Sequence, residues 1–394
     1  MEEKTKIEIK DVSKVFGKNP KKALGLLEEG LSKADILEKT GNNVGLYKLN
    51  FEIKDGEIFV IMGLSGSGKS TLLRCINRLI EPTVGEILID GSDVVKMKSE
   101  TLRELRRNKL GMVFQNFGLI PHRSVLDNVA YGLEVRGIDK EERYKKAIEA
   151  IENVGLKGHE NSSISELSGG MQQRVGLARA LATDPDILLM DEAFSALDPL
   201  IRSEMQDELL ALQDRMQKTI VFVSHDLDEA LKLGDRILLM NEGKAVQIGT
   251  AEEILTEPAD DYVAKFVAGV DRSKVLVAEA VMKRPDPVIS INSTLKVAVQ
   301  LMRKHGISSI YVVDRNKILK GFVTIDEAIE GMKAGKTIDD VMKKDSETTS
   351  PDTPLNELIP IIESTSPVAV VDERKKLLGV VVRGSVLGAL AMEE

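Results

Sequence analysis

The run Gly63-Leu64-Ser65-Gly66-Ser67-Gly68-Lys69-Ser70, followed by Thr71, constrains this chain more than any other part of it. Its spacing is that of a phosphate-binding loop, a pattern that carries meaning only between a strand and a helix. Both flanks comply: Glu57 to Met62 (EIFVIM) is an apolar run suited to a strand, and Lys69 to Ile80 has a helical pattern. Glycines let the backbone curl so that successive N–H groups face inward, and the helix that follows adds the partial positive charge of its N-terminus. A polyphosphate belongs there, with Lys69 on its outer phosphates and the Ser70 hydroxyl on Mg²⁺.

A chain of 394 residues is too long for one ordinary core, and roughly 150 residues per domain predicts two or three domains. A formal charge of −9 argues against a general nucleic-acid binder. The charged start Met1-Glu2-Glu3-Lys4 is unlike a signal peptide, and no apolar run reaches the roughly 18 residues of a membrane span, so a cytoplasmic chain is expected. The one cysteine, Cys75, lies on the apolar helix after the loop and reads as a buried core residue.

In chain order, Lys6 to Val12 alternates as a half-buried strand, and Phe16 beyond it can stack on a base or, on spacing alone, fill the core. Pro20 to Asn43 reads as a two-helix insertion, with a capping box at Ser32 to Asp35 and a closing Gly41. Gly85 to Asp90 and Gly111 to Gln115 continue the strand pattern, and Lys98 to Lys109 is a charged helix. Residues 116–184 are mainly helical, including the amphipathic stretch Glu141 to Val154 and a glycine pair, Gly169-Gly170, opening a helix after Ser168. Two further apolar runs, Ile187 to Met190 and Thr219 to Ser224, end at Asp191-Glu192 and at His225. Strand ends bearing Asp, Glu and His beside a phosphate loop are where an open α/β sheet binds its ligand.

These motifs together resemble the ATP-binding-cassette (ABC) ATPase family over roughly residues 6–270. The resemblance implies an α/β P-loop fold with a mixed sheet core, an antiparallel β subdomain and a helical subdomain at about 116–184. It also assigns roles. Phe16 stacks on adenine, and Gly63 to Thr71 cradle the phosphates. Ser70, Gln115 and Asp191 attend Mg²⁺, and Gln115 also senses the attacking water. Glu192 is the base, His225 is the switch, and Ser168, Gly169 and Gly170 cap the γ-phosphate of ATP bound to a second copy. Asp198 closes the loop Ser195 to Asp198 that crosses the dimer. Two positions depart from the family pattern: Met171 stands where glutamine is usual, and Ala193 where a proline often follows the glutamate. Neither removes a charge or a phosphate donor.

After Asp271 the chain repeats itself: Val281-Met282 recurs at Val341-Met342, Val313-Asp314 at Val371-Asp372, and Gly321 at Gly379. Each copy reads as β-α-β-β-α. This resembles a tandem cystathionine-β-synthase (CBS) module, with expected units at 278–334 and 338–394. Such modules often hold adenosine ligands on a Gly-x-x-Thr-x-x-Asp stretch. Here the first copy has Gly321, Thr324 and Asp326-Glu327 and the second lacks both Thr and Asp, which argues against ordinary AMP or ATP.

The two-helix insertion, the string Gln115 to Arg123 and the stretch Met190 to Arg202 narrow the resemblance to ATPase subunits of bacterial glycine betaine/proline importers. That implies a peripheral homodimer on the cytoplasmic face of the membrane, beneath a permease, with a substrate-binding protein or domain. For the CBS module it leaves two regulators open. One is anionic lipid meeting Arg303, Lys304 and Arg374 to Lys376; the other is cyclic di-AMP. The alternatives are an importer subunit for another small solute, such as an amino acid, or a soluble ABC ATPase acting on a macromolecule.

Overall fold

The computed structural model describes residues 4–115, 118–364 and 367–390, so Asn116 and Phe117 of the Gln115 string lie outside the described residues. The chain divides into two compact units, with the boundary between Val267 and Ala268.

The first unit opens on a long antiparallel pair. Strand β1 (Thr5–Phe16) buries Ile7, Ile9 and Val12; after helices α1 (Pro20–Glu28) and α2 (Lys33–Thr40) the chain returns as β2 (Asn43–Lys54), which buries Val44, Leu46, Leu49 and Ile53. The alternation of Lys6 to Val12 predicts a strand ending at Val12, yet β1 runs on to Phe16. Register shifts on either side of Val12, with Asp11 at φ +50°, re-phase the inward set and let Val15 become a core residue. The insertion forms as its caps predict: Ser32 and Asp35 make both capping-box hydrogen bonds, and Gly41 closes α2 at φ +65°.

Strand β3 (Ile58–Met62) feeds the phosphate loop and α3 (Lys69–Ile76). The helix stops four residues short of the predicted Ile80. Arg78 adopts φ +53°, and the Asn77 side chain accepts the Leu79 N–H at 3.0 Å, which turns the chain away. Strands β4 (Val84–Ile89) and β5 (Ser92–Asp93) complete the four-stranded antiparallel sheet, ordered β2-β1-β4-β5.

The second sheet is mixed. Helix α4 (Ser99–Asn108) leads into β6 (Leu110–Val113), and the helical layer follows as α5 (Val125–Val135), α6 (Lys140–Asn153) and α7 (Gly169–Leu181). Then come β7 (Ile187–Asp191), α8 (Pro199–Met216), β8 (Thr219–Val223), α9 (Leu227–Leu233), β9 (Arg236–Asn241) and β10 (Lys244–Gly249). The order is β10-β9-β3-β8-β7-β6, parallel except for the edge strand β10. Every residue of β3, β7 and β8 is buried, as a strand covered on both faces requires. Because these strands are parallel, the chain emerging after Met62, Asp191 and Val223 does so at one sheet edge. Cys75 is fully buried in the core, which pushes its thiol pKa up to about 12. Two short helices, α10 (Ala251–Thr256) and α11 (Asp261–Val267), end the unit.

The second unit is two similar halves. The first contains α12 (Ala278–Val281), β11 (Val288–Ser290), α13 (Leu295–His305), β12 (Ser309–Val313), β13 (Leu319–Thr324) and α14 (Ile325–Lys333). The second contains α15 (Ile338–Val341), β14 (Thr348–Thr349), α16 (Leu355–Ser364), β15 (Val368–Val371), β16 (Leu377–Val381) and α17 (Arg383–Leu390). Each half has a parallel then an antiparallel strand pairing, which is the β-α-β-β-α unit read from the repeats. Tyr311, Val313, Ala369 and Leu377 pack together between the halves, and the Tyr311 hydroxyl donates to the Pro367 carbonyl at 2.7 Å.

Candidate active site

Two glycines fix the phosphate loop by close backbone approach. A Cβ on Gly63 (φ +144°) would lie 2.1 Å from the Met240 carbonyl oxygen, and one on Gly68 (φ +105°) would lie 2.6 Å from that of Gly45. The loop is thus pressed against β9 and β2, and only glycine fits at either place. Gly66, by contrast, faces open space. Lys69 is 5% exposed, and its ammonium donates to the loop's own Gly63 and Leu64 carbonyls at 2.8 and 3.2 Å. Burial lowers its pKa, opposed by the charges of Glu192 and Asp191. The Ser67 hydroxyl oxygen is buried with no partner.

Above the loop lies an open cavity of about 690 Å³, lined by Phe16, Asn43 to Gly45, Leu64 to Gly66, Gly68 to Thr71, Glu192 and His225. Phe16 is 39% exposed and faces this space, so the core placement favoured by spacing alone is incorrect. The re-phased strand that puts Val15 inward leaves its neighbour Phe16 outward. Asn43, Val44 and Gly45 are lining residues that sequence reasoning missed. Their only signal is that they close the two-helix insertion.

In the same lining, the carboxylate of Glu192 is set by its backbone. Glu192 sits at φ +48°, its N–H donates to the Val223 carbonyl at 3.1 Å, and its own carbonyl accepts the Ser195 hydroxyl at 2.9 Å. This left-handed turn, rare for a residue with a side chain, lifts the carboxylate off the end of β7. Gln115 Nε2 donates to Glu192 Oε2 at 3.0 Å, and His225 Nδ1 stands 3.4 Å from the same oxygen. The following Ala193 is fully buried, and the turn stands with alanine where proline is usual. Gln115 lies in a turn past β6 rather than in the strand, which ends at Val113. Nearby, buried Asn128 holds both the N–H and the carbonyl of Ile120, at 2.7 and 3.1 Å.

Asp191 ends β7 at 3% exposure and pairs with Arg74 of α3 at 3.1 Å, a partner that sequence reasoning missed. Ser224 hydrogen-bonds the buried Glu229 carboxylate, whose pKa burial raises, and this fixes the chain just before His225. Ser168, Gly169, Gly170 and Asp198 are not among the cavity's lining residues. Ser168 caps α7 by accepting the Met171 N–H at 3.3 Å, a backbone bond indifferent to the Met171 side chain. Asp198 caps α8 by accepting the Ile201 N–H at 3.2 Å. Gly170 packs so closely on Ile201 that an added Cβ would stand 2.6 Å from its Cγ2, which brings the α7 and α8 N-termini together.

A polyphosphate cradle, a carboxylate hydrogen-bonded by an amide with an imidazole beside it, and an aromatic ring at one open cavity suit nucleoside triphosphate hydrolysis. Comparison with known proteins decides the family. The ABC transporter model matches residues 46–195, and the CBS domain model matches 277–334 and 338–392. The glycine betaine transport ATP-binding protein OpuAA of Bacillus subtilis is 54% identical over 391 residues, which is 99% of this chain and 93% of that protein. The chain belongs to the ABC transporter ATPase family. Within it, this chain falls in the branch of the glycine betaine transport ATP-binding proteins. Another relative is the glycine betaine/proline betaine transport ATP-binding protein ProV of Escherichia coli, 50% identical over 98% of both chains. A bacterial ABC transporter cassette solved as a dimer superposes with a TM-score of 0.53, at 35% identity, covering 62% of this chain and 98% of that one. As an ABC transporter ATPase the chain binds and hydrolyses ATP, dimerises and serves a membrane permease. No helix among the described residues is long and apolar enough to cross a membrane itself.

Proposed function

We propose that this chain hydrolyses ATP on the cytoplasmic face of the membrane to drive import of glycine betaine, proline betaine or a related quaternary-amine osmoprotectant. A permease and a substrate-binding protein or domain would complete the importer. The observation that carries the catalytic reading is the single oxygen of Glu192 approached by both Gln115 and His225, in a cavity that Lys69 also lines. In that reading the loop N–H groups and Lys69 hold the β and γ phosphates, and Phe16 stacks on adenine. Glu192 takes the proton of a water that Gln115 and His225 help to place. Phosphoryl transfer depends on such positioning more than on covalent chemistry.

Mg²⁺ fits the donor set. Among the described residues no cluster of three or more His, Cys, Asp or Glu side chains could hold a metal alone. A hydroxyl at Ser70, an amide at Gln115 and a buried carboxylate at Asp191 would share the ion with phosphate oxygens, as Mg²⁺ in such sites prefers. When bound, the ion neutralises charge that builds on the phosphates. The reading as a whole is tested by reconstituting the chain with its permease and measuring uptake of a solute panel. Uptake of amino acids in place of quaternary amines would move the substrate to the runner-up class.

A specific observation favours a regulatory role for the CBS unit. The strand-connecting turns of its two halves meet: Leu319 N donates to the Lys375 carbonyl and Leu377 N to the Lys317 carbonyl, each at 2.9 Å. This gathers exposed Arg315, Lys317, Arg374, Lys375 and Lys376 on one edge, while Asp372 is occupied by the backbone N–H groups of Arg374 and Lys376. Such a cationic edge would dock on anionic lipid at low salt and let go when screening shortens the Debye length below about 10 Å. A chain ending before Asp271 is expected to transport without salt activation, and retained salt activation would sink the idea. Cyclic di-AMP is the second candidate regulator, with a cavity of about 320 Å³ lined by Asp286, Ser308, Tyr311 and Val380, among others, as the space available. The adenosine motif itself is compromised, since Glu327 is spent on capping Thr324 and on pairing with Lys343 at 2.8 Å. Calorimetry with the full chain tests this, and absence of binding heat at saturating ligand removes it.

A further inference from the structure

The two-helix insertion has a structural relation to the nucleotide cavity that its place in the sequence does not reveal. The chain leaves the antiparallel sheet after Phe16 and rejoins it at Asn43, and these two residues face each other in the β1–β2 register. Both line the cavity. Their neighbours Val15 and Val44 are packed with Ala23 and Ile36 in a small core that belongs to the insertion. Asn42, 1% exposed, closes the insertion at its base: its Oδ1 accepts the Asn19 N–H at 3.2 Å and its Nδ2 donates to Thr40 Oγ1 at 2.9 Å.

Lys33, at the start of α2, departs from the usual behaviour of an exposed helix lysine. It is half-buried, and its ammonium donates to the Val44 carbonyl at 2.9 Å. Burial lowers its pKa; the charges around it are Glu242, which favours the ammonium form, and Lys244, which opposes it. The next residue along β2, Gly45, lies against the aromatic ring, since a Cβ there would stand 2.9 Å from Phe16 Cε2. The phosphate loop has a brace in Gly243, whose N–H donates to the Ser67 carbonyl at 2.8 Å. A Cβ on Gly243 would stand 2.4 Å from the Gly45 carbonyl oxygen and 2.7 Å from Lys33 Nζ, so Lys33 adjoins that brace. An effect confined to the base therefore differs from a loosened loop in whether the phosphates are still held.

We propose that Lys33 is a positioning residue for the base of the nucleotide, holding Val44 and Gly45 against the Phe16 ring so that the insertion sets how tightly the base is gripped. The proposal rests on the reading that this cavity takes ATP with its base toward Phe16. Lys33 is not among the residues that line the cavity and acts through Val44 and Gly45. A hydrogen bond from a charged donor to a carbonyl inside a partly buried site is worth about tenfold or more, and because Lys33 acts on the base only through Val44 and Gly45, a part of that, about three- to tenfold, is expected in binding.

The test uses the full chain reconstituted with its permease. Lys33→Met, which keeps the length and loses the donor, is expected to raise KM for ATP about three- to tenfold with kcat within about twofold. Inhibition by tripolyphosphate, which has the phosphates and no base, should stay at the wild-type value, and Lys33→Arg should restore KM. Gly45→Ala, which forces the ring aside from the other direction, should give the same split between ATP and tripolyphosphate. An unchanged KM in both variants, Lys33→Met and Gly45→Ala, overturns the proposal. So does a parallel loss of ATP and tripolyphosphate affinity, which would mean that the whole site had loosened. A wild-type chain whose ATP hydrolysis is insensitive to tripolyphosphate would instead bring down the underlying assignment of the cavity.

Discussion

Replacing Glu192 with glutamine is expected to lower steady-state ATP hydrolysis by about 10²- to 10⁴-fold, the usual contribution of a positioned general base. Nucleotide affinity should remain near wild type. The amide keeps the shape of the side chain and the left-handed turn that presents it, and the Gln115 amide can still donate to its carbonyl oxygen. What is lost is the ability to accept a proton from water. Trapped ATP and an accumulated dimer in size-exclusion chromatography should accompany the loss. Turnover at the wild-type rate would remove Glu192 from the role of base and leave Gln115 and His225 sharing a carboxylate of structural purpose only.

The second large effect is expected at Gly170. Gly170→Asp puts a negative charge where the N-terminus of α7 would meet a γ-phosphate, and its Cβ would press on Ile201. Hydrolysis should fall by about 10²-fold or more, as when one donor to a developing anionic oxygen is lost. Binding of a fluorescent ATP analogue to the separate chain should persist, because the Gly63 to Thr71 cradle is untouched. Loss of that binding as well would mean that the substitution acts through misfolding near Ile201 rather than through a partner's phosphate.

Much of this is legible in the sequence because local pattern and tertiary demand agree. The loop needs glycine where Met240 and Gly45 approach, and glycine stands there; the strands that feed it are covered on both faces, and their sequences are continuously apolar. The caps of α2 are readable for the same reason. Phe16 is not, because Val12 breaks the alternation set by Ile7 and Ile9, and only the register shifts after Val12 return Val15 to the buried side and Phe16 to the exposed one. Arg74 on Asp191 and Lys33 on Val44 are equally hidden: each pair joins distant or differently structured segments, and a lysine opening a helix looks the same whether it faces water or a carbonyl. The end of α3 is hidden too, because apolar Leu79 and Ile80 continue the helical pattern after the backbone has turned at Arg78.

That Ser168 to Gly170, at the N-terminus of α7, do not line the cavity has a genetic consequence. If each site takes its loop and Glu192 from one chain and its Ser168 to Gly170 from the other, two inactive alleles can repair one another. A dimer of one Glu192→Gln chain and one Gly170→Asp chain concentrates both lesions in one site and leaves its twin with a wild-type set of groups. Cells or vesicles holding either allele alone would be silent, and those holding both would regain part of their transport.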